Sequence, residues 1–426
     1  MDRGSTVYQT YLEILRRELI CAMGCTEPIA LAYCAATARA ALGTLPDRIV
    51  VEASGNIIKN VKSVVVPNTG GRRGIAAAAG IGVLGGDEHA GLEVISHVTD
   101  ETKDRLGSYL EQTQIEIKPL VSDNLLDMIV TVYSGASRAK ARIVNEHTNI
   151  VLVERNGVVL QEKDPQGDAD TEDMPDYSLL TVEDIYDFAC TCDLDDVRPV
   201  LDRQIECNTA IAEDGLRNDY GANIGKVLLK TGNDLRTRAK AYAAAGSDAR
   251  MNGSELPVVI CSGSGNQGLT VSLPVIEYAR GLHADKEKLY RALLISNLIT
   301  LHAKAGIGRL SAYCGAVSAG AGAGAGIAFL HGGDERDISH TIVNTLAITS
   351  GIVCDGAKSS CAAKIATAVE TGIFGYEMFK NGQQFYAGDG LVEKGVENSI
   401  ASFSRLARVG MRETDHEIIL MMTEQK

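Results

Sequence analysis

The 426-residue sequence contains no tryptophan, and aromatic residues make up only 5% of it. A stacking platform for bases or sugars therefore has little to be built from. Runs of basic residues are also missing. Lys and Arg number 41 against 55 Asp and Glu, a formal charge of −14, so a phosphate backbone finds no electrostatic footprint and nucleic acid is excluded as a partner. Long apolar runs are absent too. The start, MDRGSTVYQTYLEILRRELI, has no uninterrupted apolar stretch behind a basic end and does not read as a secretory signal. SAGAGAGAGIAFL is too short and too glycine-rich for a membrane span of about 20 residues. These absences predict a cytoplasmic protein with no membrane partner. In that reducing compartment its ten cysteines are expected as thiols or ligands rather than disulfides. No CxxC pair occurs, so the usual knuckle of a structural zinc site is lacking.

What remains is the composition of a globular chain, 45% hydrophobic and 23% charged, long enough for two or three domains. The pattern predicts an α+β fold: a mixed helix and antiparallel-sheet part over residues 1–175, then a mainly helical part over 176–426. TVYQTYLEILRRELICAM has apolar residues at helical spacing, and IALAYCAATARAAL reads as a second helix capped by Gly43. RIVVEAS and IIKNVKSVVV are β-branched and read as strands, as do five segments from QIEIKPL to VVLQEK, with hairpin signals at SGAS and RNG. Residues 163–178, KDPQGDADTEDMPDYS, are acidic and nearly free of large apolar side chains, which suits a boundary. The GAGAGAG run at 320–326 lacks the flanking strand and GK[ST] ending of a phosphate loop, and is expected to let buried helices approach closely.

Two kinds of residue point to chemistry. Cys314, Cys354 and Cys361 lie among small residues, the last two seven apart across a turn and a helix start. Their spacing leaves open an iron–sulfur cluster, a zinc ion or plain packing. Cys25 precedes Pro28, which favours a first helical turn. A helix N-terminus would depress the pKa of Cys25 and of Cys361, unless Cys21 and Cys25 merely close the first helix. Glycine-rich segments form the second kind. Asn68, Thr69, Gly70 and Gly71 in PNTGGRRG, and Ser262, Ser264, Asn266 and Gln267 in CSGSGNQGLT, could cradle a carboxylate. A small amino or hydroxy acid is the ligand such cradles suit.

In order along the chain, CAMGCTEPIALA, GNIIKN, VPNTGG, SGSGNQG, LSAYCGA and GIVCDGAKSSCAAKI resemble the L-cysteine desulfidase family, which is related to the alpha chain of iron–sulfur L-serine dehydratases. The resemblance covers nearly the whole chain. It implies a lyase, independent of pyridoxal phosphate, that converts L-cysteine to pyruvate, ammonia and hydrogen sulfide on a [4Fe–4S] cluster. It implies Cys314, Cys354 and Cys361 as cluster ligands, and Cys25 as either a catalytic residue or a fourth ligand. Cys25 and Lys59 are the catalytic assignments, with Lys304, His302 and Lys358 as further candidates for the base and the two cradles holding the amino acid. The resemblance equally admits L-serine as substrate, and a homodimer is compatible with it. A cluster protein without catalysis, acting as a redox sensor, is the alternative from another class.

Overall fold

The computed structural model describes residues 1–164 and 175–423. Most of the boundary segment expected at 163–178 thus lies outside the described residues. The N-terminal part is a mixed layer of helices and one six-stranded sheet, and the C-terminal part is helical. The sheet runs in the order Gln114–Pro119, Arg48–Ala53, Asp127–Ser134, Ser137–Val144, Ile150–Arg155, Val158–Glu162. Both expected hairpins are present, but Arg48–Ala53 pairs in parallel with Gln114–Pro119, so the sheet is mixed rather than purely antiparallel. The helix Thr26–Leu42 lies across this sheet and ends on Gly43 in the left-handed region at φ 82°. Buried side chains form one continuous cluster that draws on both parts, from Tyr8 to Met411. Among the described residues, no helix is long and apolar enough to cross a membrane.

Two local expectations are corrected. The first helix, Thr6–Glu18, stops before the cysteines, and Cys21–Met23 is a strand paired with Pro257–Val259. That partner is too distant in sequence for periodicity to reveal. IIKNVKSVVV, expected as a strand, begins inside the helix Gly55–Val61 and ends with only an isolated bridge, Val65 to Arg73. Asn56 and Lys59, three apart and so on one helical face, both reach Asp415 near the C-terminus: Asn56 Nδ2 at 2.8 Å and Lys59 Nζ at 2.6 Å. This buried polar contact outweighs the β-propensity of the isoleucines and valine.

The GAGAGAG run is a helix, Gly315–Leu330, at the centre of the helical part. A Cβ on Gly320 would lie 2.5 Å from the Ala368 carbonyl, and one on Gly324 2.6 Å from that of Gly372. The missing side chains let this helix meet Cys361–Lys380 backbone to backbone. On its other side, a Cβ on Gly322 would sit 2.1 Å from Thr300 Oγ1 and 2.4 Å from the Ser296 carbonyl. Substituting Gly322 by Ala is expected to cost about 2–3 kcal/mol despite alanine's better helix propensity, because neither neighbour can yield without repacking. Chemical denaturation would show this; an unchanged or raised midpoint would contradict the close contact.

Candidate functional site

Two short backbone pairings assemble the site from four distant segments. In the first, Cys21 faces Val259, Ala22 faces Val258 and Met23 faces Pro257. The chains that leave this ladder, Gly24–Thr26 and Ile260–Ser264, depart from opposite ends and meet again where Thr26 Oγ1 donates to the Gly263 carbonyl at 3.0 Å. In the second, Tyr313 bridges Val353, with Cys314 N donating to the Ile352 carbonyl at 3.0 Å and Cys354 N to that of Ala312 at 2.6 Å. The turn after Cys354 then begins the helix Cys361–Lys380. Cys25, Cys314, Cys354 and Cys361 consequently line one cavity of about 110 Å³.

Four helices start at this cavity. Cys25 is the N-cap of Thr26–Leu42, Ser264 of Gly265–Gly281 and Cys314 of Gly315–Leu330, and Cys361 is the first residue of Cys361–Lys380. None of the four has a side-chain capping hydrogen bond, a lack shared by helices elsewhere such as Gly74–Gly85 and Arg198–Arg217. The first N–H groups of Cys361–Lys380 are taken by the Lys358 and Ser359 carbonyls. The positive ends of four dipoles nevertheless gather around one space, which favours an anion there.

The lining also holds polar atoms with no partner inside the protein. Arg250 is 2% exposed, its Nε has no hydrogen-bond partner, and among the described residues it has no ion pair. A buried guanidinium left this way is costly unless something else compensates it. Its room is made by Gly265, where a Cβ would fall 2.2 Å from Arg250 Nε. Asn60 Oδ1, His147 Nε2, Asn266 Oδ1 and Gln267 Oε1 are likewise buried and unpartnered, and all four residues line the cavity. Lys304 is a second lining cation, 4% exposed and without an ion pair among the described residues; burial holds its ammonium down to about 8. Arg309, by contrast, is spent on a bidentate pair with buried Glu18, at 2.6 and 2.9 Å.

Cys25 departs from expectation. Its thiol does sit at a helix N-terminus, but burial pushes it well above the ordinary range, and the neighbouring Glu27 carboxylate pushes the same way. The sulfur donates to Glu27 Oε2 at 3.0 Å, and Asn60 Nδ2 donates to Glu27 Oε1 at 3.0 Å. Burial would raise the Glu27 carboxyl, yet His147, whose Nε2 is 4.0 Å from Oε1, and the Cys25 thiol together hold it at about 2. Burial raises Cys314 to about 12 and also raises Cys361, so the expected depression at helix starts is absent there as well.

Of the residues singled out by sequence, the structure gathers Cys25, Ser264, Asn266, Gln267, Lys304, Cys314, Cys354 and Cys361. Others lie outside the lining. Asn68 binds the Ile95 carbonyl through Nδ2, and Thr69 closes its own loop on Val66, with Gly70 and Gly71 in the exposed turn beyond. Ser262 is buried just behind Gly263. Lys59 is ion-paired to Asp415, but its carbonyl supports the loop after Cys354: a Cβ on Gly356 would approach it to 2.4 Å. His302 pairs with Glu397, and Lys358 with Asp355. Sequence reading missed Glu27, Asn60, His147 and Arg250. Glu27 and Asn60 stood inside recognised motifs, whereas nothing near Arg250 or His147 distinguished them from surface residues.

All ten cysteines are free, and among the described residues no group of His, Cys, Asp or Glu converges to hold a single metal ion. Three soft thiols spread around one cavity fit a polynuclear group, in which each thiolate takes a different iron. Replacing Arg250 by Met is expected to leave thermal stability unchanged or raise it, since an uncompensated buried charge disappears. Replacing Glu18 by Gln, which removes the bidentate partner of Arg309 and leaves it Glu146 at 3.5 Å, should cost about 2 kcal/mol. Melting curves of the two variants test the contrast, and a large loss in R250M would give Arg250 a structural role.

The family model described as serine dehydratase alpha chain matches residues 89–420, a span that contains Arg250, Ser264, Lys304 and the three cysteines. Cys25, Glu27 and Asn60 fall outside it. Relatives extend the similarity to the whole chain. A UPF0597 protein of Desulfitobacterium hafniense is 57% identical over 426 residues, covering 100% of this chain and 99% of its own. One from Lachnoclostridium phytofermentans is 52% identical over 417 residues, 98% and 100% of the two chains, and one from Treponema denticola 45% identical over 428, 99% of each. With Arg250, Lys304 and three of the cavity's four cysteines inside the matched span, the chain belongs to the serine dehydratase alpha chain family.

Proposed function

We propose that the chain is an iron–sulfur lyase that eliminates the β-substituent of L-cysteine, giving pyruvate, ammonia and hydrogen sulfide without pyridoxal phosphate. One observation carries the reading: a single small cavity is lined by the three cysteines and by a buried guanidinium without an ion pair, set beside a helix start. Cys314, Cys354 and Cys361 would hold a [4Fe–4S] cluster, which when bound supplies a Lewis-acidic iron that eases departure of the β-thiol.

The remaining roles fall to the chain's own side chains. Arg250 and the open N–H groups of Gly265–Gly281 take the α-carboxylate, a charge-assisted pairing in a dry site. Asn266 Oδ1 and Gln267 Oε1, both without donors of their own, accept from the α-ammonium. Elimination needs an acceptor for the Cα proton. Lys304 in its neutral form is the stronger candidate, because burial, reinforced by the Glu27 carboxylate, keeps the Cys25 thiol protonated. Cys25 instead holds a proton at Sγ for transfer toward the substrate, with Glu27 behind it. Lys59 acts at one remove, through the Gly356 loop. The aminoacrylate released hydrolyses to pyruvate and ammonia without further help.

L-Serine is the second reading, favoured by the description of the matching family. The test is anaerobic reconstitution with iron and sulfide followed by pyruvate assay with L-cysteine and L-serine in parallel. Turnover of cysteine at a higher kcat/KM supports the proposal. Pyruvate from serine alone transfers it to the hydroxy amino acid, and pyruvate from neither, with the cluster absorption intact, leaves a sensor. R250M should lower kcat/KM at least ~100-fold, the scale of losing a buried charge-assisted pair, while C361A should lose the cluster absorption and turnover together.

A further inference from the structure

Outside the cavity, a second pair of sulfurs is held in a fixed relation by backbone and side chain. Cys21 lies opposite Val259 in the two-stranded ladder. Val259 is in turn clamped by Asn208, which accepts from Val259 N at 2.8 Å and donates to its carbonyl at 3.2 Å. Asn208 belongs to the helix Arg198–Arg217, and the residue before it is Cys207. Arg203, four residues before Cys207 and therefore on the same helical face, donates from Nε to Cys21 Sγ at 3.1 Å. Cys21 is half-buried and open to small reagents, and Cys207 is buried behind it. Neither lines the cavity.

We propose that Cys21 and Cys207 form a peroxide-reactive dithiol, Cys21 being attacked first and Cys207 resolving it to a disulfide. The surroundings of the pair divide these roles. The Cys207 thiol, bonding to the Cys21 sulfur, and the Arg203 guanidinium hold Cys21 below the ordinary thiol range, while Cys207 is pushed up by that same bond and by burial. Cys34, Cys190, Cys192 and Cys261 are all pushed up by burial and lack such a cation in contact. In the first step the Cys21 thiolate attacks hydrogen peroxide: an S–O bond forms, the O–O bond breaks, hydroxide leaves and takes a proton to become water, and the sulfur is oxidised to sulfenic acid. In the second step Cys207 attacks that sulfur, S–S forms, S–O breaks and the thiol proton leaves with the hydroxyl as water. A dithiol reductant returns both thiols and is itself oxidised to a disulfide. Because Cys25 and Ser264 follow directly on the two strands of the ladder, the bond would tie the helix to the base of both site loops.

The test treats the anaerobically purified, cluster-loaded protein with hydrogen peroxide, blocks remaining thiols and maps the linked peptides. A Cys21–Cys207 linkage that forms before any other and is reversed by dithiothreitol supports the proposal. Cys207→Ser should then accumulate sulfenic acid at Cys21, trapped by dimedone. Arg203→Met should slow the linkage about tenfold at neutral pH through the smaller thiolate fraction, and this reading stands even if the serine variant fails to fold. A first linkage among Cys314, Cys354 and Cys361, or a Cys21 that carries neither dimedone nor a disulfide while those residues oxidise, would overturn it.

Discussion

The structure depends on an accumulation of positive potential around one small cavity. Four helices begin there without side-chain caps, and Arg250 and Lys304 add two full charges that no carboxylate pairs among the described residues. Glu27 is the one carboxylate in the lining, and it is already engaged by Cys25 and Asn60. A chain with a formal charge of −14 has ample acidic side chains to neutralise such a site, yet places them elsewhere. Burying uncompensated cations destabilises a fold by several kcal/mol, so the arrangement is intelligible as one completed by an anionic occupant. A carboxylate ligand would meet that requirement.

Packing keeps the two ends of the cavity in register. Cys314 and Cys361 open the helices Gly315–Leu330 and Cys361–Lys380, and these helices touch through backbone at Gly320, Gly324, Ala368 and Gly372. Contact of this kind tolerates almost no sliding, because interiors are as dense as organic crystals. The glycines are therefore remote from the chemistry and still fix where two sulfurs sit. The Asn56–Lys59–Asp415 cluster does similar work on the third sulfur, since the carbonyl of Lys59 supports the Gly356 turn that follows Cys354. Sequence alone made Lys59 a candidate base; the fold makes it a prop.

How much was legible follows from the range of the forces involved. Helices whose stability comes from their own periodicity and caps, such as Thr26–Leu42 with Gly43, could be read directly. So could the four strands from Asp127–Ser134 to Val158–Glu162, each paired with a neighbour in sequence. Elements made by a distant partner could not: Cys21–Met23 is a strand only because Pro257–Val259 is, and Gly55–Val61 is a helix with its face turned to Asp415. In the site, the cysteines and the SGSGNQG segment announced themselves by residue type and clustering. Arg250 did not, because an arginine in a helix is ordinary until its burial and lack of partner are seen. PNTGG shows the opposite case: Asn68 and Thr69 resemble an anion cradle, but Asn68 spends its amide on the distant Ile95 carbonyl and Thr69 its hydroxyl on those of Val66 and Arg72.

Cys25 shows which of two competing effects sets a proton's position. A helix N-terminus stabilises a thiolate by roughly 0.3–1 kcal/mol at ordinary exposure. Full burial can move an ionisable group by several pKa units, each worth about 1.4 kcal/mol. Here the carboxylate of Glu27 adds its repulsion to that burial, so the dipole loses and the proton stays on sulfur, directed at Oε2. The same dipole still acts on whatever else enters the cavity. A carboxylate ligand would arrive with its charge already formed, and Arg250 and the start of Gly265–Gly281 would meet it without its having to lose a proton first. The helix starts are thus better suited to a charge that is delivered than to creating one on the protein, and the Cys25 proton stays on sulfur at the edge of that field.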